Sequence, residues 1–153
     1  MAEDRDALLQ HYRQMRETLL AAIEGLSDEQ LSEPSLDGWS VKDHLAHIAL
    51  WDDLRSSEVA RISAGHDSAW RPQSGHDDAF DDFNDLAYEL RRDMSVAQAR
   101  WELETSQQRL LAAISAASPR GLEAGRYGEA GLHTTHEAEH AGWIRRWREE
   151  RGI

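Results

Sequence analysis

Residues 40–63 read SVKDHLAHIALWDDLRSSEVARIS, and this stretch indicates the architecture of the whole chain. Its apolar side chains recur at steps of three and four, which is the spacing of an α-helix with one buried face. Ser40 suits the N-cap position, and Asp43 places a carboxylate in the first turn, where the helix dipole favours it. Gly65 should stop the helix. We therefore predict one long amphipathic helix over 41–63.

Three further long segments have the same periodicity. The first carries an apolar stripe over 8–26 and should end near Gly25. The next opens with a capping-box pattern at Ser95 and ends before Pro119, and the last starts near Thr134. A period-two strand pattern persists nowhere in the sequence. These features predict an all-α four-helix bundle.

The connections between the long helices should contain short helical elements. Ser27 opens a capping-box pattern for one helical turn, and an apolar stripe over 80–90 predicts a short helix. Residues 65–78 are polar, with two glycines and a proline, and predict a loop long enough to cover a site. Residues 120–132 form a glycine-rich connector. No linker is visible, so residues 1–153 should form a single domain.

Composition excludes several classes of function. The formal net charge of −12 repels nucleic-acid phosphates and anionic membrane surfaces, so neither is an expected partner. The chain has no cysteine, which excludes disulfides, thiolate metal sites and a cysteine nucleophile. No apolar run approaches the roughly 18 residues of a membrane span, and the first residues are charged. We therefore expect a soluble, cytoplasmic protein.

Two histidines near the C-terminus are candidate metal ligands. Residues 133–140 read HTTHEAEH, and on a helix His136 and His140 lie about 40° apart on one face. Trp143 and Ile144 continue that face, so both imidazoles should point inward. Two histidines in this arrangement can coordinate the same divalent cation. The alternative is a pair of partly buried histidines that are hydrogen-bonded to their neighbours.

A third ligand is available on the helix over 41–63, which carries His44 and His47. His47 shares its side with Trp51, whereas His44 lies one turn earlier, toward the edge of the same arc. Periodicity alone does not choose between the two. One of them together with two histidines of the last helix would leave open positions for water or substrate, as in a catalytic metal site.

The other histidines are predicted to lie outside this site. His11 sits beside the apolar stripe of the first helix, and His66 and His76 fall in the loop, so all three should be solvated. His133 should lie just outside the last helix, in a cap or rim role.

The sequence H-E-x-x-H at 136–140 also occurs in zincins, where it supplies two zinc ligands and a glutamate base. Glu137 is, however, the third residue after Thr134, and this spacing predicts a capping box at the start of the helix. The sheet that accompanies a zincin helix is missing from the predicted elements. We keep a metalloprotease only as a minor alternative and predict a structural role for Glu137.

Four segments of the chain together resemble the DinB/YfiT-like superfamily of four-helix-bundle metal proteins. They are GWSVKDHLAHIALWDDL, the Phe-Asn pair at 83–84, the S-x-x-x-L-L run of the third long helix, and HTTHEAEHAGWIRRW. In that family a histidine of the L-A-H-x-x-x-W segment joins an H-x-x-x-H pair to bind a divalent metal, often zinc or nickel. The resemblance implies His47, His136 and His140 as the ligands, and it selects His47 over His44.

The resemblance also implies a range of activities. Relatives include thiol S-transferases and mycothiol-dependent maleylpyruvate isomerase, so the expected chemistry is metal-assisted transfer of a low-molecular-weight thiol to a small molecule, or hydrolase-type chemistry. A bound metal lowers the pKa of a thiol or of water. The absence of cysteine is consistent with a thiol supplied from outside. The alternative from another class is a non-catalytic metal-binding or stress-related bundle protein.

Three further expectations concern individual residues and assembly. No general acid or base stands out, because Asp43, Asp52 and Glu139 are interpreted as cap or surface residues. Trp39 matches a family position, and we interpret it as a packing residue at the end of the bundle. The family often forms dimers through helix faces and the chain has six tryptophans, so we predict a homodimer.

Overall fold

The computed structural model describes residues 1–70, 79–128 and 131–153, and within these ranges the regular structure is helical, without a β-strand. The elements in chain order are α1 (Arg5–Ile23), α2 (Asp28–Ser32), α3 (Val41–Ser63), α4 (Ala79–Arg91), α5 (Val96–Ser115) and α6 (His136–Arg151), with two 3₁₀ turns at Arg120–Leu122 and Ala124–Arg126 before α6. The four long helices are α1, α3, α5 and α6. The all-α bundle prediction is confirmed.

Local capping signals position the helices largely as predicted. The Ser40 hydroxyl accepts from the Asp43 amide, and the Asp43 carboxylate accepts from the Ser40 amide, so the start of α3 has both halves of a capping box. Ser27 forms the same reciprocal arrangement at the start of α2. At Ser95 only the hydroxyl half is present: the Ser95 hydroxyl accepts from the Gln98 amide, and the Gln98 side chain does not return the bond.

The helices pack as two pairs, since α3 has its largest contact with α5 and α1 has its largest contact with α6. Two apolar clusters fill the interior. The first consists of Leu8, Leu9, Tyr12, Met15, Val59, Ile62, Leu110, Ile114, Ala117, Leu122, Tyr127 and Leu132. The second consists of Leu19, Ala22, Ile23, Leu26, Leu31, Val41, Leu45, Ile48, Leu103, Ala141, Ile144 and Trp147. None of the helices in the described ranges has both the length and the apolar character needed to cross a bilayer.

A buried layer of charged residues separates the two clusters along α1 and α3. Along α1 this layer occurs between Met15 of the first cluster and Leu19 of the second. Its members are Arg16, Asp52, Arg55 and Glu137, and each is at most 5% exposed. We call these four residues the charged layer. Charged groups this deeply buried require partners, because an unpaired buried charge is strongly unfavourable.

The charged layer is internally paired and connects all four long helices. Arg16 contacts Asp52 on α3 at 2.7 Å and Glu137 on α6 at 2.5 Å, and it donates to the Leu103 carbonyl of α5 at 2.7 Å. Arg55 lies 3.5 Å from the other oxygen of Asp52. Burial raises the pKa of both carboxyl groups, and the two guanidinium groups oppose this. The prediction that Asp52 is a cap or surface residue is therefore wrong.

α4 lies over α3 through aromatic contacts, and none of its residues is fully buried. The ring of Trp51 on α3 has its centroid 5.5 Å from that of Phe80 and 5.8 Å from that of Phe83. Trp70, just before residues 71–78, packs 5.5 Å from Phe83. Most of the predicted loop over 65–78, including His76, lies outside the described residues. The aromatic group places α4 beside the histidine-bearing faces of α3 and α6.

Candidate metal centre

Three histidines from two helices converge at one point beside the charged layer. His47 lies on α3, His136 is the first residue of α6, and His140 follows one turn later. Nε2 of His136 lies 3.0 Å from Nε2 of His47 and 3.0 Å from Nε2 of His140. One nitrogen from each of the three lies within 4.8 Å of the other two. The structure thus brings together the three residues that the resemblance implied.

These distances suit a tetrahedral metal ion. Zinc–nitrogen bonds of about 2.0–2.1 Å in tetrahedral geometry place neighbouring nitrogens roughly 3.3 Å apart. A hydrogen-bonded cluster fits less well, because Nε2 of neutral His136 has either one hydrogen or one lone pair and can satisfy only one of its two neighbours. Three nitrogens around a common point therefore have the arrangement of a ligand set.

Burial keeps these imidazoles neutral, which is the form that binds metals. Burial, followed by the nearby His136 and His44, lowers the pKa of His47 to about 3. Burial followed by Arg55 and His44 lowers the pKa of His136 to about 4. The pKa of His140 is also strongly lowered, by burial and then by the other three histidines. The lone pairs of the cluster are available at neutral pH.

We expect the metal-free protein to lose stability as the pH falls below 6.5, the ordinary pKa of histidine. The folded state holds His47 and His136 neutral, whereas the unfolded chain takes up protons, so acid favours unfolding. Each histidine that stays neutral in the folded state lowers the free energy of unfolding by about 1.4 kcal/mol for every pH unit below that value. Urea unfolding of chelator-treated protein at about pH 7 and about pH 5 would measure this. His47→Ala should flatten the dependence and His66→Ala should not; equal slopes would contradict the prediction.

Three indole rings surround the histidines. The Trp39 ring centroid lies 5.4 Å from that of His47, and the Trp143 centroid lies 4.7 Å from that of His140. Trp51 lies 6.4 Å from His47. These apolar walls lower the local polarity around the three nitrogens and strengthen electrostatic interactions there.

A tight turn at residues 36–39 places Trp39 in the site. Leu36 and Trp39 exchange both backbone hydrogen bonds. Asp37 has a φ of 54° and Gly38 a φ of 87°, which is the pair of positive values that a type I′ turn requires. The Trp39 ring then stacks on Tyr88 of α4, with centroids 5.1 Å apart and planes at 7°. Trp39 therefore packs against the histidines and α4, which agrees with its interpretation as a packing residue.

A cleft of about 730 Å³ leads to the cluster from the solvent. Its walls combine aromatic, acidic and basic side chains, namely Leu36, Asp37, Trp39, His44, His47, Asp81, Asn84, Asp85, His136, His140, Trp143 and Arg146. A second cleft, of about 320 Å³, is bordered by Trp51, Arg55, Phe80, Asn84, Thr134, Thr135, His136 and Glu139. His136 and Asn84 border both clefts. A small molecule in either one would be close to the histidines.

Asn84 has a defined orientation between the two clefts. Its Oδ1 accepts a hydrogen bond of 2.9 Å from Nε1 of Trp51. The acceptor end of the amide is thereby assigned, and its Nδ2 retains two donors for other partners. The sequence identified Asn84 only as part of the resemblance, and no periodicity argument predicted its position beside His136.

Glu137 does not form the predicted capping box. α6 begins at His136, its N-cap Thr135 makes no side-chain cap bond, and the Thr134 hydroxyl accepts from the His136 amide. The Glu137 carboxylate instead binds Arg16 in the core. The cap prediction is wrong because a buried guanidinium from α1 is a stronger partner than an exposed amide at a helix start.

Of the remaining predictions for individual residues, some are confirmed and one is corrected. Asp43 is a cap residue and Glu139 is exposed, as predicted. His66 is exposed, but His11 is not fully solvated, since its Nε2 lies 2.6 Å from the Thr134 carbonyl oxygen. His133 lies at the rim, 3.1 Å from the Glu3 carboxylate, and is not among the converging histidines.

The sequence analysis did not identify Arg16 as a residue that supports the histidine cluster. It is the fourth residue after Tyr12 and the third before Leu19, so it lies on the apolar face of α1. The signal that could have indicated its burial is a cationic side chain on an otherwise apolar helix face. Through Glu137 it holds the first turn of α6, and with it His136.

Comparison with known proteins identifies the family. No curated protein sequence matches this chain significantly. A solved structure of an uncharacterised protein from Escherichia coli UTI89 superposes with a TM-score of 0.75 at 17% identity, over 97% of this chain and 95% of that chain, which shows a shared fold. A sequence model of the DinB superfamily matches residues 11–144. Because that match extends from α1 to α6 and includes every histidine of the cluster, this chain belongs to the DinB superfamily.

Proposed function

We propose that this protein binds a divalent metal ion, zinc or nickel, through His47, His136 and His140, and uses it in small-molecule chemistry. The observation that carries the proposal is the convergence of three neutral imidazole nitrogens within 4.8 Å of one another. Neutral imidazole suits zinc and nickel among the common divalent ions. Three protein ligands beside an open cleft are typical of a catalytic site, whereas structural zinc sites are closed by four.

The cleft supports chemistry on a small organic molecule. The metal would act as a Lewis acid that lowers the pKa of a thiol or of water. Trp39 and Trp143 offer apolar contact surfaces close to the histidines, and Asn84 offers amide hydrogens to a polar group. We propose transfer of a low-molecular-weight thiol to an electrophilic substrate, with hydrolase-type chemistry as the second form of the same proposal. The chain has no cysteine of its own, so the thiol would come from outside.

Glu137 argues against the metalloprotease alternative. A zincin glutamate acts as the general base on metal-bound water. Here the Glu137 carboxylate is 4% exposed and is held by Arg16 at 2.5 Å within the charged layer. A carboxylate held in that ion pair has a structural role. The similarity of residues 136–140 to the zincin sequence therefore does not extend to the function of the glutamate.

The test begins with elemental analysis of protein purified without chelators or nickel resin. We expect about one zinc or nickel ion per chain, as three ligands around one point imply. The metal-loaded protein is then incubated with a panel of small thiols and electrophiles, with the His140→Ala variant as the control. Metal-dependent conjugation or hydrolysis supports the enzyme. A bound metal without turnover favours the non-catalytic metal-binding alternative, and protein without metal rejects the site.

We also propose a homodimer formed through α4 and the start of α5. Leu86 is 59% exposed, Leu90 76% and Trp101 60%, which is unusual for large apolar side chains. Arg91 binds Glu102, so these two helices meet close to Leu90 and Trp101. Light scattering across a range of concentrations should give twice the chain mass, and Leu90→Lys should lower it toward the monomer value. A monomer mass for the unmodified protein at all concentrations would reject the dimer.

A further inference from the structure

A fourth histidine lies next to the cluster. His44 is 7% exposed, and its Nδ1 lies 2.7 Å from Nδ1 of His140. The other ring nitrogen of His140, Nε2, is the one that faces His136 at 3.0 Å. His140 therefore uses opposite edges of its ring for two different neighbours, with the proposed metal site on one side and His44 on the other.

The contact between the two Nδ1 atoms restricts the tautomers. At 2.7 Å one of the two nitrogens must carry a hydrogen and the other must accept it. If Nε2 of His140 uses its lone pair for a metal ion, the neutral ring must carry its hydrogen on Nδ1. His44 is then the acceptor at Nδ1, and its own hydrogen is on Nε2. A single assignment satisfies the hydrogen bond and the ligand role together.

The outer part of the His44 ring is enclosed by the protein. Its Nε2 is buried and makes no hydrogen bond within the described part of the chain. Trp39 and Trp143 pack against the same ring, with centroids 5.2 Å and 6.4 Å away. These contacts hold the His44 ring in one orientation.

We propose that His44 is a positioning residue for the metal site, which accepts the Nδ1 hydrogen of His140 and so fixes its ring and tautomer. This rests on the proposed metal function. Histidine ligands commonly donate their second ring hydrogen to an outer partner, which is often a carboxylate or a carbonyl. Here another histidine takes that place. Among the described residues, His140 is the one member of the cluster that has such a bond at Nδ1.

The geometry separates this role from that of a fourth ligand. The Nδ1 atom of His44 faces the edge of His140 that is opposite to His136. The group of nitrogens that lie within 4.8 Å of one another contains His47, His136 and His140 without His44. His44 therefore acts through His140.

The test compares two substitutions of similar size. In His44→Asn the amide oxygen is attached to Cγ, as Nδ1 is in histidine, so an acceptor for His140 remains. In His44→Leu the acceptor is replaced by a methyl group. Zinc affinity is measured by competition with a chromophoric chelator. We expect His44→Leu to bind zinc about 10–100-fold more weakly, as for other outer-partner losses, and His44→Asn to remain close to the unmodified protein.

Three results would overturn the proposal: zinc affinity unchanged in His44→Leu, equal loss in both variants, or loss explained by a parallel fall in the stability of the metal-free protein. Urea unfolding of the chelator-treated variants monitors the last of these. If the unmodified protein binds no zinc, the proposed function fails and this inference fails with it. Nitrogen-15 NMR of the zinc-loaded protein tests the inference separately from zinc binding, since the inference requires the hydrogen of His140 on Nδ1 and that of His44 on Nε2, and the opposite tautomers would refute it.

Discussion

Replacing His136 with alanine is expected to abolish stoichiometric metal binding, and the same result is expected for His47→Ala and His140→Ala. Nε2 of His136 lies 3.0 Å from its counterpart on each of the other two histidines, so its removal leaves only two converging imidazoles, on different helices. The loss of affinity should exceed the roughly 10–100-fold that outer partners of a metal site typically contribute. Metal content after dialysis against metal-free buffer measures the effect.

Two exposed histidines provide matched controls for this experiment. His66 and His133 are outside the cluster, and both are exposed. Their alanine variants should keep the metal content of the unmodified protein. Near-full retention of metal in any one of the three cluster variants would remove that histidine from the ligand set. Circular dichroism of each variant separates a lost ligand from a lost fold.

Arg16→Met is expected to destabilise the protein by about 3–5 kcal/mol, the usual cost of removing one partner from a buried ion pair. Methionine has a similar length and apolar character, so packing is largely kept. Asp52 retains Arg55 at 3.5 Å, but Glu137 loses the contact of 2.5 Å that satisfies it in the core. Urea unfolding of metal-free protein measures the change without a contribution from ligand binding.

Arg109→Met is the matched control, because Arg109 makes a two-pronged contact with Asp53 at 2.8 Å and 3.0 Å while its side chain is 53% exposed. An exposed pair of this kind contributes about 0.2–1 kcal/mol. Adding Glu137→Gln to Arg16→Met should recover part of the loss, since it removes the unpaired charge. A loss below about 1 kcal/mol for Arg16→Met would show that the charged layer is not held in the way the structure indicates.

The charged layer helps to position the histidine cluster. Glu137 directly follows His136, and the start of α6 makes no side-chain cap bond from Thr135. The first turn of α6 is held instead by α1, through the contact of Arg16 with Glu137 and that of His11 with the Thr134 carbonyl. α1 contributes no residue to the histidine cluster, yet it positions His136. Loss of Arg16 should therefore weaken metal binding as well as the fold.

The sequence by itself determined the helices and the faces they bury. Helix periodicity and capping depend on residues three or four apart, and such relations can be read along the chain. This is why α3 was predicted from Ser40 to its last turn, and why His136 and His140 were assigned to one face. The pattern of α3 offered His44 and His47 as the third candidate, and the resemblance selected His47.

The tertiary structure decided how the remaining groups are paired. Arg16 and Glu137 are separated by 121 positions, and His44 and His140 by 96, so no local pattern relates them. Glu137 had a plausible partner nearby in the sequence and a stronger one on another helix. Local rules describe which bonds the backbone can make near a residue. Burial against other helices decides which polar partners are left for its side chain, because a buried polar group must be satisfied by whatever the fold brings to it.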